Sequence, residues 1–172
     1  VQYDDAGRAV RVTPTVPEAP QHIQKATVAD LNHIAYLRAP VVPYLKTIHD
    51  RLTLEIMRGC SRGCRFCQAG YIYRPVRERS PESLLFLTHA LLQESGYDEV
   101  SLSSLSTGDY TEIAALVGAL MQSCEAQRVS VSLPSMRVST LTEELAAIIR
   151  RVRKTGFTIA PEAGTQRVRN VI

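Results

Sequence analysis

Three cysteines fall within eight residues, Cys60-Ser61-Arg62-Gly63-Cys64-Arg65-Phe66-Cys67, with three and then two residues between them. A thiolate is a soft ligand, and three on one tight loop can face a single metal or cluster. Iron–sulfur cubes are held by cysteine thiolates, ordinarily four of them. No second cysteine pair returns later in the chain, so a cube bound at three corners would leave its fourth iron open to a ligand that is not protein. Other chemistries fit less well. A structural zinc ion wants a closed set of four ligands, and here His49 or His89 would have to complete it. A disulfide framework is disfavoured, because short spacings without a secretory leader point to a reducing compartment. A lone nucleophilic cysteine would not need two companions. The fourth cysteine, Cys124, lies among Leu120, Met121 and Ala126 and reads as a small buried residue.

The elements around the loop alternate. Leu52-Thr53-Leu54-Glu55-Ile56-Met57 reads as a strand with Leu52, Leu54 and Ile56 on one face, and it delivers the chain to the cysteines. Ser80-Pro81 opens a helix that Gly96 closes, with Leu84, Leu85, Leu87, Leu91 and Leu92 on its apolar face. A second strand spans 99–103. Thr111 or Asp109 caps the helix after it, which carries Ile113, Leu116, Val117, Leu120 and Met121. Val129 to Leu133 is a third strand, and Thr140 or Thr142 starts a helix bearing Leu145, Ile148, Ile149 and Val152. Phe157 to Ala160 is a fourth strand leading into a basic helical start. Such alternation means βα units on a parallel sheet, and right-handed crossovers curve it toward a barrel. Four units are too few to close one.

Residues 1–50 read as an irregular lead-in, and residues 51–172 as the first part of the barrel. Within the lead-in, Val1 to Tyr3 and Ala9 to Val12 flank a turn containing Gly7 and suggest a hairpin. Prolines 14, 17 and 20 favour an extended connection, and 27–36 could form a brief helix. The chain is 172 residues long with a net charge of +3, enough for a proper core. No apolar run approaches the roughly 20 residues of a membrane span. A soluble, cytoplasmic protein is expected. The missing initiator methionine, and an end inside a new helix, suggest a piece of a longer chain.

The cysteine pattern resembles the signature of the radical S-adenosylmethionine (radical SAM) superfamily, CxxxCxxC with an aromatic before the last cysteine. Cys60, Cys64 and Cys67 match its ligands and Phe66 its aromatic. The resemblance implies a 4Fe–4S cluster whose open iron is chelated by S-adenosylmethionine. It also implies reductive cleavage of that cosubstrate to a 5′-deoxyadenosyl radical. The fold it implies is a partial TIM-like (β/α) barrel of about six units, with the chemistry at the C-terminal strand ends. This chain would supply about four of them.

Further stretches are similar to family segments. Leu102 to Tyr110 resembles the stretch after the second strand in tRNA methylthiotransferases, with Ser104 where those proteins often carry glycine. Glu162-Ala163-Gly164-Thr165-Gln166-Arg167 looks like the segment (E/Q)SGS-x-R, with Ala163 in place of the usual serine. The resemblance thus assigns cosubstrate contacts to Phe66, Ser104, Ser106, Ser135, Arg137 and Glu162. The pattern looks most like the cobalamin-binding type, which implies cobalamin in the full-length protein. An electron donor is also implied, either a reductase or a flavodoxin or ferredoxin. The substrate is unread, with RNA or a small molecule receiving a methyl or methylthio group among the candidates.

Six arginines crowd the first loop: Arg58, Arg62, Arg65, Arg74, Arg77 and Arg79. Beside an anionic cluster they read as positive partners for thiolates, a cosubstrate carboxylate or substrate phosphates. From a different class, a zinc-stabilised, non-enzymatic domain could bind RNA through the same arginines.

Overall fold

A computed structural model describes residues 1–151 and 159–172. The framework that carries the cysteine loop is a three-stranded parallel sheet of β3 (Leu52–Glu55), β6 (Glu99–Ser103) and β7 (Ser130–Ser132), in that order. The central strand has Val100, Ser101 and Leu102 buried in succession, as a parallel strand covered on both faces must. The outer strand β3 alternates instead, with Leu52 and Leu54 buried and Thr53 exposed. Registers are regular, Leu54 opposite Leu102 and Val100 opposite Val131, so β3 and β6 end together at Glu55 and Ser103 while β7 ends at Ser132, opposite Ser101.

Helix α2 (Pro81–Ser95) forms where the sequence signals it. The Ser80 hydroxyl accepts the Ser83 N–H at 3.2 Å, Pro81 opens the first turn, and Gly96 at φ 69° closes the last. Leu84, Leu91 and Leu92 are buried, and Thr88 joins them by donating its hydroxyl to the Leu84 carbonyl at 2.7 Å. Each fully buried leucine contributes about 1.5–3 kcal/mol. Helix α3 (Ile113–Glu125) buries Leu116, Val117, Leu120, Met121 and Cys124. It packs on α2, on β7 and on α4 (Glu143–Ile149). Thr142, not Thr140, caps α4, accepting the Leu145 N–H at 3.2 Å.

Other expectations are corrected. The strand predicted over 52–57 stops at Glu55. Met57 and Arg58 form β4 and leave the parallel sheet to pair antiparallel with β5 (Arg77–Glu78). Helix α3 has neither Asp109 nor Thr111 as its cap. Its N-cap is Glu112, without a side-chain bond, and Asp109 lies in a preceding 3-10 turn over 107–109. In place of a helix over 27–36 there is one 3-10 turn, Leu31–His33, capped by Asp30. The hairpin does form, from β1 (Gln2–Tyr3) and β2 (Ala9–Arg11), with Gly7 at φ 75°. Of the expected fourth strand, Phe157 and Thr158 lie outside the described residues, while Ile159 and Ala160 are irregular. Val152 also lies outside them. The sheet does not close into a barrel among the described residues.

The segment from Lys25 to Tyr36 is held against the core by an arginine. Arg79 is 2% exposed. Its guanidinium donates to the Leu31 carbonyl and, at 3.3 Å, to that of Glu55, and it lies 5.3 Å from the Tyr36 ring centre. The Tyr36 hydroxyl donates to the Thr53 carbonyl at 2.8 Å, and the Asn32 side chain accepts the Ser80 N–H at 2.9 Å. A buried guanidinium without such acceptors would be costly. Here two carbonyls, from the Leu31 turn and from β3, and the Tyr36 ring surround it.

Candidate functional site

The cysteines sit on an excursion of the chain that leaves the end of β3 and returns to the start of α2. Its neck is the β4–β5 ladder, extended by the Arg79 N–H bond to the Ile56 carbonyl at 2.8 Å. Gly59, directly before Cys60, adopts φ 99°. A Cβ there would stand 2.3 Å from the Tyr73 carbonyl oxygen and 2.8 Å from that of Pro75, so only glycine lets the two limbs approach. Beyond the neck, Cys67 N–H bonds the Cys64 carbonyl at 3.0 Å, and a single helical turn, α1 (Ala69–Ile72), follows. Gly70 in that turn leaves no room for a side chain, since a Cβ would meet the Arg62 carbonyl oxygen at 1.9 Å. Lys25 closes the far side, its ammonium donating to the carbonyls of Ile72 and Arg74 at 2.7 and 2.8 Å.

The crowded arginines divide by role. Arg79 is structural, as above. Arg74 donates to the Gly70 and Ser61 carbonyls inside the loop, and Arg77 to those of Pro75 and Val28. Arg58 forms a two-point pair with Glu55 at 2.7 Å, which holds the Glu55 carboxyl below the usual carboxylate range. Arg62 reaches across to Asp109 on the exit turn of β6, with Nε 2.8 Å from Oδ2 and Nη2 on Oδ1. The Ser106 hydroxyl donates to the same carboxylate at 2.7 Å. The Arg62 bond holds the Asp109 carboxyl well below its ordinary value, and Asp109 in turn raises that of Arg62. Arg65 is exposed.

All three loop cysteines are free and half-buried, while Cys124 is fully buried, where desolvation pushes its thiol up. Arg137, on the loop after β7, brings Nη1 to 3.7 Å from the Cys64 sulfur. Beside Cys64 opens a cavity of about 680 Å³ whose lining includes Phe66, Met136, Arg137, Glu162 and Gln166. That lies within the roughly 300–1,000 Å³ usual for small-molecule sites. Glu162, at φ 66°, adopts a left-handed backbone at the cavity wall.

Of the residues singled out in the sequence, the structure gathers Cys64, Phe66, Arg137 and Glu162 around this one cavity. Ser104 lines a separate pocket of about 360 Å³ with Glu55, Arg58, Gly59 and Tyr73, its hydroxyl 3.1 Å from that of Thr107. Ser106 is buried and its hydroxyl is occupied by Asp109. Ser135 is exposed at φ 58°, and its carbonyl accepts the Thr107 N–H at 3.3 Å. Among the described residues no three cysteine, histidine or acidic side chains stand close enough to hold a metal ion. As a donor set the thiols nevertheless suit an iron–sulfur cluster. They are three soft ligands on one loop, with a guanidinium against one of them and open space for a further ligand. His89 is engaged elsewhere, with Ser123 at 3.0 Å, on the exposed side of α2 and α3. The sequence reading gave no role to Gly59 or Gly70 and took Asp109 for a candidate helix cap. The only signal available was glycine abutting the first cysteine.

A parallel α/β sheet whose edge strand leads through β4 into a three-thiol loop, beside a cavity lined from loops that follow the strands, defines a class: α/β proteins with a cysteine-rich loop at the strand tips. The chain belongs to the Radical SAM superfamily, whose sequence model matches residues 54–172. Membership implies a partial TIM-like α/β fold and the superfamily's cofactors, an iron–sulfur cluster and S-adenosylmethionine. The match is to the superfamily and selects neither the cobalamin-binding nor the methylthiotransferase subgroup. The chain is also similar to an uncharacterized protein of Methanocaldococcus jannaschii, 40% identical over 119 residues. That alignment covers 69% of this chain and 25% of the relative, so the chain spans about a quarter of its length. No helix among the described residues is long and apolar enough to cross a membrane.

Proposed function

We propose that Cys60, Cys64 and Cys67 hold a 4Fe–4S cluster, and that S-adenosylmethionine occupies the cavity beside Cys64. When bound, the cluster supplies the electron that splits the S–C5′ bond of the sulfonium. The chain's own residues bind and orient. Arg137 brings its guanidinium to 3.7 Å from the Cys64 sulfur, a positive partner for a ligand of an anionic cluster. Phe66, 60% exposed on the loop, offers an apolar face for the adenosyl group, and Glu162 a carboxylate for ribose hydroxyls or the ammonium. Reducing equivalents come from a flavodoxin, a ferredoxin or a dedicated reductase. The observation that carries this reading is the shared cavity, which joins one thiol of the signature to Arg137 and Glu162 from two later loops. Its test is product analysis of anaerobically reconstituted, reduced protein incubated with S-adenosylmethionine. 5′-Deoxyadenosine and methionine are expected, with slower formation in Arg137→Ala and Glu162→Gln. Full activity in both variants would remove the cavity from the account.

A further inference from the structure

Ligation and cosubstrate binding give no role to the two-point bond between Arg62 and Asp109. Arg62 lies midway between Cys60 and Cys64, and its side chain is about half exposed. Asp109 is 13% exposed and belongs to a turn with little freedom. Thr107 beside it is buried and bonds the Ser135 and Leu102 carbonyls at 3.3 and 3.4 Å. Gly108 is pressed against Thr140, whose hydroxyl oxygen would lie 2.0 Å from any Cβ. Ser106 fixes the carboxylate from the other side at 2.7 Å. The carboxylate is thus a rigid feature of the strand end, whereas the loop carrying Arg62 has little regular structure of its own from Gly59 to Gln68.

We infer that Asp109 is a positioning residue for the cysteine loop: it anchors the backbone between Cys60 and Cys64 through Arg62 and cancels that arginine's charge beside the two thiols. The inference rests on the reading of Cys60, Cys64 and Cys67 as cluster ligands. A positive charge near a redox centre favours the form carrying the extra electron, and net charge and solvent exposure are among the factors that set cluster potentials. With Arg137 already against Cys64, an unpaired Arg62 would add a second cation. The bond is charge-assisted and two-point, and it ties the loop to the turn that follows β6.

Two readouts test this on Asp109→Asn, Arg62→Gln and the double variant. Redox titration of reconstituted protein, followed by electron paramagnetic resonance, should give a less negative potential for Asp109→Asn. It should give a more negative one for Arg62→Gln, and a value near wild type for the double variant. Amide hydrogen exchange of the metal-free proteins should show residues 60–68 opening roughly tenfold or more faster in either single variant. Equal potentials in all four proteins, shifts of one sign in both single variants, or unchanged exchange would overturn the inference. Failure of the wild type to take up iron would instead strike the ligand reading, and the exchange measurement, which needs no metal, would still decide the role of Asp109.

Discussion

Replacing Gly59 by alanine tests how the chain builds the cysteine loop. The residue sits at φ 99°, where an L side chain is strained, and its new Cβ would stand 2.3 Å from the Tyr73 carbonyl oxygen and 2.8 Å from that of Pro75. Both obstacles are backbone atoms of the returning limb, so no rotamer change relieves them. The neck must open by about 0.7 Å merely to bring the first contact to 3.0 Å. Backbone strain of this kind costs about 1–3 kcal/mol and overpacking another 1–3. At about 2–4 °C per kcal/mol for a chain of this size, the melting temperature should fall by roughly 5–20 °C. If the limbs separate only locally, the loss appears instead as iron uptake, because the ladder that orients Cys60 is broken. Thermal melts and iron analysis on the same preparation cover both cases. Gly118→Ala is the control: it lies within α3 with nothing within 4 Å of the added Cβ, and should stabilise by about 0.5–1 kcal/mol. A Gly59→Ala protein that melts and binds iron like wild type would refute the reasoning.

Arg79→Met should destabilise by about 2–4 kcal/mol, because the Leu31 and Glu55 carbonyls lose a charged donor while the cost of burying a guanidinium is recovered. Arg79→Lys should rescue only part of it, and chemical denaturation that ranks lysine with wild type would show that the fork geometry is irrelevant. Acid should weaken the fold through Asp109 and Glu55, whose folded-state values are depressed chiefly by bonds from Arg62 and Arg58. Their contribution is complete above the ordinary carboxylate range and is lost as pH falls through the lowered values. Melting temperature should therefore drop on going from about pH 5 to pH 3, less steeply in Asp109→Asn, and identical slopes would contradict the pairing.

What the sequence made legible was mostly local. Ser80, Pro81 and Gly96 mark α2 because capping is decided within one turn of the chain, and β6 announces itself by Val100 and Leu102 alternating with serines. The cysteine spacing identified the superfamily before any coordinates. Pairings across the chain were hidden. The step from Ile56 to Met57, where the strand abandons β3's sheet for Arg77 and Glu78, depends on partners some 20 residues away. Asp109 looked like a helix cap because aspartate before an apolar run usually is one. Its carboxylate is instead drawn 47 positions back along the sequence to Arg62. The arginine cluster misled in the same way. Its members read as one electrostatic patch, yet Arg74, Arg77 and Arg79 hold backbone carbonyls, and Arg79 is buried. The brief helix expected near residue 30 shrinks to one turn, where the chain is pulled onto Arg79 and Ser80.

The most direct test of the central claim is iron and acid-labile sulfide per chain after anaerobic reconstitution, in wild type and in Cys60→Ala, Cys64→Ala, Cys67→Ala and Cys124→Ala. About four of each are expected in wild type and in Cys124→Ala, with a brown chromophore, and loss of the intact cluster in each of the other three. One zinc per chain with no chromophore in the wild type, or a Cys124→Ala protein as depleted as Cys64→Ala, would contradict it.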